Sequence, residues 1–281
     1  MTSSDNDLPV PQLLELFSGT GSVGKVANAL TEGFGVISVD NNKKSNPTIC
    51  ADILKWDYKQ FEPGHFEVIW ASPPCDTFSR MLYCHIGKPC KDYPGETWSK
   101  ELIVRRQEEF GLPILNKVKE IIDYFKPTYY FIENPLSGRM KDYMTEYKHT
   151  DVCYCMYGFD YKKPTRIWHN NAELDDLLQM CNHKGKHIAR IGKRGSTTLN
   201  QRYSIPPELI EQIFQCVICD DDCFRQVKEK PEAKPEALED LKCDELKKRL
   251  RALGEKVGGN KAELIKRLRD HEAVTKKFLE D

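Results

Sequence analysis

Short apolar runs alternate with longer amphipathic stretches through the first half of the chain. The runs have the length and the β-branched and aromatic content of buried strands, and four are predicted: residues 13–17, 36–39, 68–71 and 129–132. Between them, apolar residues recur at helical spacing over residues 23–31 and 100–125, although Pro113 should kink or divide the second stretch. Strands that alternate with helices in this way predict an α/β fold with a mostly parallel sheet.

The pattern changes towards the C-terminal end. A last amphipathic helix is predicted over residues 203–215, opened by Pro206-Pro207. Residues 220–237 are charged and punctuated by proline, so they cannot bury a core and are predicted to be a linker. The linker separates a domain over residues 1–219 from a small helical module over residues 238–281.

The module carries the pattern of two short helices. Leu246, Leu250 and Leu253 lie on one face of the first helix, while Asn260 and Glu263 predict a capping box at the start of the second. The apolar face of the second helix consists of Leu264, Ile265 and Leu268. With the Leu-Gly step at residues 253–254 and the Gly-Asn-Lys-Ala-Glu-Leu-Ile run at residues 259–265, this region is similar to SAP domains, small helix–extended–helix modules that bind DNA.

The composition of the chain limits the classes of protein to which it can belong. The chain has 281 residues, a net charge of -1 and 40% hydrophobic residues, enough for one α/β domain and a small module. Its apolar runs stay short of the roughly 18 residues needed to span a bilayer, and its polar N-terminal segment does not resemble a secretory signal. We therefore expect an intracellular protein with reduced cysteines, no membrane contact and no obligatory protein partner.

A glycine motif follows the first predicted strand. Residues 19–24, Gly-Thr-Gly-Ser-Val-Gly, match the G-x-G-x-x-G pattern that lets a backbone approach a nucleotide closely. Asp40 ends the second predicted strand about 20 residues later, where a carboxylate accepts hydrogen bonds from ribose hydroxyls. Taken alone, the motif fits a nicotinamide dinucleotide at least as readily as S-adenosylmethionine, and it also fits a tight turn that binds no ligand.

Residues with reactive side chains follow two further predicted strands. Cys75 follows Pro73-Pro74 at the end of the strand predicted over residues 68–71, and Glu133 follows the strand predicted over residues 129–132. Because the carboxyl ends of parallel strands meet at one edge of a sheet, we expect both side chains to face one pocket. A lone cysteine at such a position is more often a small buried hydrophobe. Its flanking prolines and the matching carboxylate favour a nucleophile.

The glycine motif, the cysteine and the glutamate, in this order, resemble the DNA cytosine-5 methyltransferase family over residues 12–215. The resemblance implies a Rossmann-like, S-adenosylmethionine-dependent methyltransferase fold that acts on DNA. It implies that Cys75 attacks C6 of a flipped-out cytosine, that Glu133 assists at N3, and that C5 receives the methyl group. The implied cofactor-binding residues are Phe17, Ser18, Gly19, Thr20, Gly21, Ser22, Val23, Gly24, Asp40, Asn41, Asp52, Ile53 and Pro73.

The resemblance also implies contacts with DNA. Ser79 and Arg80 lie in a long loop, from Cys75 to about residue 99, that is expected to close over the base. Arg166 is the last arginine of a strand that carries a glutamine and two arginines in the family. Here Lys162 and Pro164 occupy the other two positions, and Tyr203 replaces an asparagine of a final cofactor-side motif. Further contacts are implied in the SAP-like module: Lys247, Arg249, Lys261, Lys266 and Arg267.

The segment that reads DNA sequence in the family is very short here. It spans only residues 170–201 and carries several lysines and arginines, which suits phosphate contacts better than extensive base reading. Such a compact enzyme would fit a phage or a large DNA virus, acting in the host nucleus or cytoplasm. Two sets of residues contain zinc-binding side chains: His169, Cys181, His183 and His187, and then Cys216, Cys219 and Cys223. Neither set has a typical ligand spacing, so no metal site is predicted.

Two other functions remain open from the sequence. A branch of the same family that methylates tRNA also has little recognition domain, although the SAP-like module favours DNA. The departures at Lys162, Pro164 and Tyr203 are also compatible with a catalytically weak protein that binds DNA on the same fold.

Overall fold

The computed structural model describes residues 10–30, 33–183, 187–189, 197–218, 250 and 258–269. The chain divides into two units, residues 1–219 and 220–281. The linker at residues 220–237, Lys247, Arg249 and most of the first module helix lie outside the described residues.

The larger unit is built on a seven-stranded sheet in the order β3-β2-β1-β4-β5-β7-β6. Its strands are β1 (Gln12–Leu16), β2 (Gly35–Asp40), β3 (Ile49–Cys50), β4 (Val68–Ala71), β5 (Tyr129–Pro135), β6 (His149–Cys153) and β7 (Pro164–His169). The first five strands in spatial order are parallel, whereas β7 runs antiparallel to both of its neighbours. The mostly parallel α/β fold is therefore confirmed, and β1 lies between β2 and β4, where ligands bind in open sheets of this kind.

The helices lie largely where the apolar periodicity predicts them. They are α1 (Ser22–Ala29), α2 (Lys100–Arg106), α3 (Leu112–Phe125), α4 (Leu174–Leu177), α5 (Leu199–Tyr203) and α6 (Pro207–Ile218). The helix predicted over residues 203–215 is shorter at its start, because Tyr203 ends α5 and a new helix begins at Pro207.

The long helical stretch before β5 is divided, as Pro113 suggested. The division is a π-helical segment, Gln107–Gly111, and Pro113 occupies the first turn of α3, where a missing N–H is tolerated. Gly111 lies in this segment against the loop that follows β4. A Cβ atom there would come within 2.7 Å of the Phe78 ring, so glycine permits the close approach.

The core lies on both faces of the sheet, as expected for parallel strands. All four residues of β4 are buried, and the Trp70 and Phe131 rings of neighbouring strands lie 5.4 Å apart. Helix α3 covers one face with residues at helical spacing, among them Leu115, Val118 and Ile122. This packing fixes the strand ends that carry the candidate site.

In the smaller unit, the described residues bear out the predicted second helix. Residues 261–269 are helical, and the capping box forms in both directions. The Glu263 N–H donates to Asn260 Oδ1 at 3.1 Å, and the Asn260 N–H donates to Glu263 Oε2 at 3.0 Å. The buried side chains of this unit include Leu250, Leu264, Ile265 and Leu268.

A carboxyl group is buried in the central strand. Glu15 of β1 is only 3% exposed, and its Oε2 accepts a hydrogen bond from the Gly24 N–H at 3.1 Å. Burial raises the pKa of Glu15 from 4.5 to about 7, with the backbone hydrogen bonds opposing the shift. Between these pH values the folded protein keeps a proton that the unfolded chain has lost. The contribution of Glu15 to the free energy of unfolding therefore falls as the pH rises from 4.5 to 7.

We predict that Glu15→Gln removes this pH dependence. The neutral amide keeps an acceptor for Gly24, so the decrease in the free energy of unfolding between pH 5 and pH 8 should be smaller by about 2–3 kcal/mol than in the wild type. The free energy of unfolding at each pH is measured by urea unfolding, followed by tryptophan fluorescence. All four tryptophans lie in the larger unit. The control is Glu62→Gln at an exposed position. An unchanged difference for Glu15→Gln would contradict the assigned shift.

Candidate active site

The glycine motif forms a tight loop between β1 and α1. Phe17, Gly19 and Gly21 have φ values of 60°, 50° and 65°, in the left-handed region. Such a conformation is uncommon for phenylalanine and tends to occur at functional sites. The Phe17 and Ser18 N–H groups donate to the Val39 carbonyl at 2.8 and 3.3 Å, so the end of β2 holds the loop in place.

The predicted acidic residues lie beside this loop. Asp40 Oδ2 accepts from the Gly19 N–H at 2.8 Å, and Oδ1 accepts from the Asn42 N–H at 2.7 Å. Asn41 and Asp52 are exposed nearby, at the ends of the paired strands β2 and β3. Each carboxylate oxygen has a second lone pair, so Asp40 can still accept a hydrogen bond from a ligand hydroxyl.

The N-terminal end of α1 lines a cavity of about 350 Å³. Its walls include Thr20 and Ser22 on one side and Ser204 and Ile205 on the other. The Ile205 N–H donates to Ser22 Oγ at 3.3 Å, so the segment predicted as the final cofactor-side motif does lie against the glycine loop. The Ser18 hydroxyl is buried and has no hydrogen-bond partner among the described residues, which leaves a donor for a ligand.

The ends of β4 and β5 bring the cysteine and the glutamate to one region. Ala71 pairs with Ile132 in the parallel register, and the Asn134 side-chain amide donates to the Pro73 carbonyl at 2.9 Å. Glu133 is 7% exposed and accepts a hydrogen bond from the Tyr154 hydroxyl at 3.0 Å. Cys75 is partly buried immediately after the two prolines, close enough for the charge of Glu133 to act on its thiol.

Opposing charges act on the Cys75 thiol. Burial raises the pKa of this thiol above its usual range, and the negative charges of Glu133 and Asp76 raise it further, while the positive charge of Lys163 lowers it. Lys163 is positioned by a hydrogen bond to the Arg202 carbonyl at 2.9 Å, and its ammonium lies 4.5 Å from the centre of the Tyr154 ring.

Sequence reasoning missed Lys163 and Tyr154. No local motif marks either residue, because both lie in the connection between β6 and β7, and β7 returns antiparallel to β5. The one sequence signal is weak: Lys163 stands beside Lys162, which occupies the position where the family carries a glutamine.

Arg166 is already engaged in a strong pair. Its Nε and Nη2 donate to the two carboxylate oxygens of Asp151 at 2.7 and 2.9 Å, a bidentate geometry. The β5–β7 register places Arg166 opposite Asn134. Its contact with a substrate base stays a prediction.

The loop after Cys75 is anchored on α2. Arg106 bridges Asp76 at 2.9 Å, at the start of the loop, and Asp92 at 2.5 Å, in its last third. Within it, Ser79 caps a short 3-10 turn by accepting from the Met81 N–H, and Arg80 is exposed. The structure thus leaves Arg80 accessible to a partner.

Comparison with known proteins adds two similarities in sequence. A SAP domain model matches residues 237–273. A protein of Frog virus 3 named "Probable DNA (cytosine-5)-methyltransferase" is 36% identical over 224 residues, covering 72% of this chain and 98% of the viral protein.

Solved structures show lower similarity. A methyltransferase of Entamoeba histolytica is 15% identical with a TM-score of 0.41, covering 65% of this chain, which spans only 59% of that protein. An antibiotic-related methyltransferase is 11% identical with a TM-score of 0.33, covering 57% and 87% of the two chains. Within the part of this chain that the structure describes, no helix has the length and apolar character to cross a membrane.

We predict that charge substitutions shift the pKa of the Cys75 thiol in opposite directions. Glu133→Gln removes a negative charge and should lower it, whereas Lys163→Met removes a positive charge and should raise it. The rate of Cys75 alkylation by iodoacetamide as a function of pH, followed by mass spectrometry of its peptide, measures both shifts. Lys163→Arg keeps the charge and should leave the midpoint unchanged. Wild-type midpoints in both charge-removing variants would show that these charges do not act on Cys75.

Proposed function

We propose that this chain, which belongs to the DNA cytosine-5 methyltransferase family, methylates C5 of cytosine in DNA through a covalent adduct of Cys75. The observation that carries the proposal is the placement of a thiol and a carboxyl group at the ends of β4 and β5, tied together by Asn134 and Pro73. The family membership supplies the reaction class, and the strand ends supply the two groups that it needs.

Cytosine is a poor nucleophile at C5, so a group must first add to C6. In the proposed reaction the sulfur of Cys75 bonds to C6 as the thiol proton passes to the Glu133 carboxylate, which delivers a proton to N3 and neutralises the charge that develops there. C5 then takes the methyl group and its proton goes to water. The sulfur–C6 bond breaks as N3 returns its proton through Glu133 to the sulfur, which restores the aromatic ring. Glu133 is well placed to give a proton to N3, because the Tyr154 hydroxyl donates to one of its carboxyl oxygens and burial keeps water away.

The glycine loop and its neighbours suit S-adenosylmethionine, which supplies an electrophilic methyl group when bound. Asp40 lies against the loop with free lone pairs for ribose hydroxyls, and the Ser18 hydroxyl is buried without a partner among the described residues. Gly19 and Gly21, with positive φ, let the backbone approach the ligand closely. Asp52 lies at the end of β3, where the resemblance places the adenine.

DNA is favoured as the substrate by the SAP match and by the name of the viral relative. The target base must leave the stack, because in a duplex neither face of its ring is open to the thiol. Arg80 is exposed on the loop that follows Cys75 and supplies a cation for a flanking phosphate. Methyl transfer to duplex DNA, single-stranded DNA and tRNA, compared at equal concentration, distinguishes this substrate from RNA.

We predict that Cys75→Ser abolishes methyl transfer and covalent trapping. DNA with 5-fluorocytosine should hold the wild type as a complex stable in denaturing gels, since fluorine cannot leave from C5 as a proton does. Cys75→Ser should form no such complex yet bind S-adenosylmethionine, because the glycine loop is separate. Cys84→Ser, at an exposed cysteine of the same loop, is the matched control and should trap normally. Trapping by Cys75→Ser would refute the nucleophile.

We predict that truncation after residue 236 weakens DNA binding and flattens its salt dependence. For every phosphate that the module neutralises, its removal should reduce the slope of log K against log salt by about 0.9, and exposed Lys266 is one cation of the module. Binding measured between about 50 and 200 mM salt, the range in which such interactions dominate, tests this. The rate of methyl transfer on saturating DNA should persist. Lys266→Ala in the full chain should flatten the slope by the amount expected for a single phosphate. An unchanged slope after truncation would mean that the module serves another partner.

A further inference from the structure

Four metal-binding side chains converge at the turn that follows β6. Cys155 lies in the turn that follows β6, and Cys181, His183 and His187 belong to the segment after α4. The Cys181 sulfur is 3.6 Å from His183 Nδ1 and 3.4 Å from His187 Nε2. One ligand atom from each of the four residues lies within 4.8 Å of the others.

We propose that Cys155, Cys181, His183 and His187 bind one structural zinc ion. Tetrahedral zinc, with bonds of about 2.3 Å to sulfur and about 2.0 Å to nitrogen, separates its ligands by roughly 3.3–3.8 Å. The two distances from the Cys181 sulfur fall in this range. Two thiolates and two imidazoles in tetrahedral arrangement are a donor set that selects zinc over hard cations such as magnesium.

The sequence spacing did not indicate this site, because the fourth ligand lies on another element. Three of the residues considered from the sequence come together, but His169 does not join them. It is fully buried in β7, where its Nε2 lies 3.0 Å from the Thr150 hydroxyl. Cys216 is buried in α6 and donates to the Gln212 carbonyl, and Cys219 and Cys223 lie outside the described residues.

The ion would attach the short segment after α4 to the sheet. That segment already contacts the turn after β6 through two hydrogen bonds, from the Cys153 N–H to the Gln179 carbonyl and from the Gln179 N–H to the Tyr157 hydroxyl, both at 3.0 Å. None of the described residues 179–183 and 187–189 is fully buried, so a metal is an effective source of stability for this segment. Four protein ligands leave no open position for substrate, which makes the site structural and not catalytic.

The site also borders the candidate active site. Tyr154, which donates to Glu133, immediately precedes the ligand Cys155. Zinc would therefore hold the turn that positions this tyrosine.

Metal analysis of the full chain tests the proposal. Protein produced without a histidine tag in zinc-supplemented medium should contain about one zinc per chain by mass spectrometry. Cys181→Ser and His187→Asn should lose most of it, whereas Cys50→Ser and His65→Asn, at exposed positions elsewhere, should retain it. A wild type without stoichiometric zinc, or with Cys155 and Cys181 joined in a disulfide, would overturn the proposal, as would ligand variants with full zinc content.

Cobalt substitution identifies the ligands even if a variant folds poorly. The wild type with Co²⁺ should show the visible absorption of tetrahedral cobalt and a near-ultraviolet thiolate charge-transfer band. Cys155→Ser should lose about half of that band. Cys153→Ser is the matched control, because its buried sulfur lies 3.3 Å from that of Cys155 without belonging to the cluster, and it should keep the full band. Octahedral spectra in the wild type, or loss with Cys153→Ser alone, would refute the assignment. Methyl transfer is not a readout here, so the result is independent of the proposed reaction.

Discussion

The parallel pairing of β4 with β5 is the constraint on which the candidate site depends. It places the residues that follow the two strands at one edge of the sheet, and the hydrogen bond from Asn134 to the Pro73 carbonyl joins these ends, 61 residues apart in sequence. Proline cannot donate a backbone hydrogen bond, so the segment before Cys75 leaves the sheet at once and is held by its carbonyl instead. Glu133 lies in β5, and Cys75 follows β4 by four residues, so the strand pairing and the Asn134 hydrogen bond together bring the two groups to one region.

Burial has opposite consequences for Glu133 and Cys75, the two groups of the proposed reaction. It keeps Glu133 in a site with little water, where a hydrogen bond to Tyr154 is strong. The same burial and the neighbouring carboxylate raise the pKa of Cys75, which favours its less reactive thiol form, while the positive charge of Lys163 opposes this shift. A thiol with a raised pKa is less easily oxidised than a thiolate.

The sequence allowed those parts of the structure to be predicted that depend on local pattern and on the geometry of parallel strands. The central strands, the glycine loop and the shared edge for Cys75 and Glu133 belong to this class. The left-handed conformation of Phe17, the role of Lys163 and the pairing of Arg166 with Asp151 do not, because each depends on contacts between distant segments that leave no periodic trace. The proximity of Cys155 to Cys181 could not be predicted either, because it too depends on a contact between distant segments. The predicted cofactor residues around the loop stay predictions as far as their ligand is concerned.

The π-helical segment between α2 and α3 sets the rotational orientation of α2 about the helix axis relative to α3. In an α-helix each residue turns the chain by about 100° about the axis. A π-helical turn contains one extra residue, so it rotates the side chains that precede it relative to those that follow. Arg106 is the last residue before that turn, and its side chain reaches both Asp76 at the start of the loop after Cys75 and Asp92 farther along it. Deleting a single residue from Gln107–Gly111 would rotate this guanidinium away from both carboxylates while leaving every active-site side chain in the sequence. The residue count of this helical segment, as well as its composition, therefore determines whether the loop is held at both carboxylates.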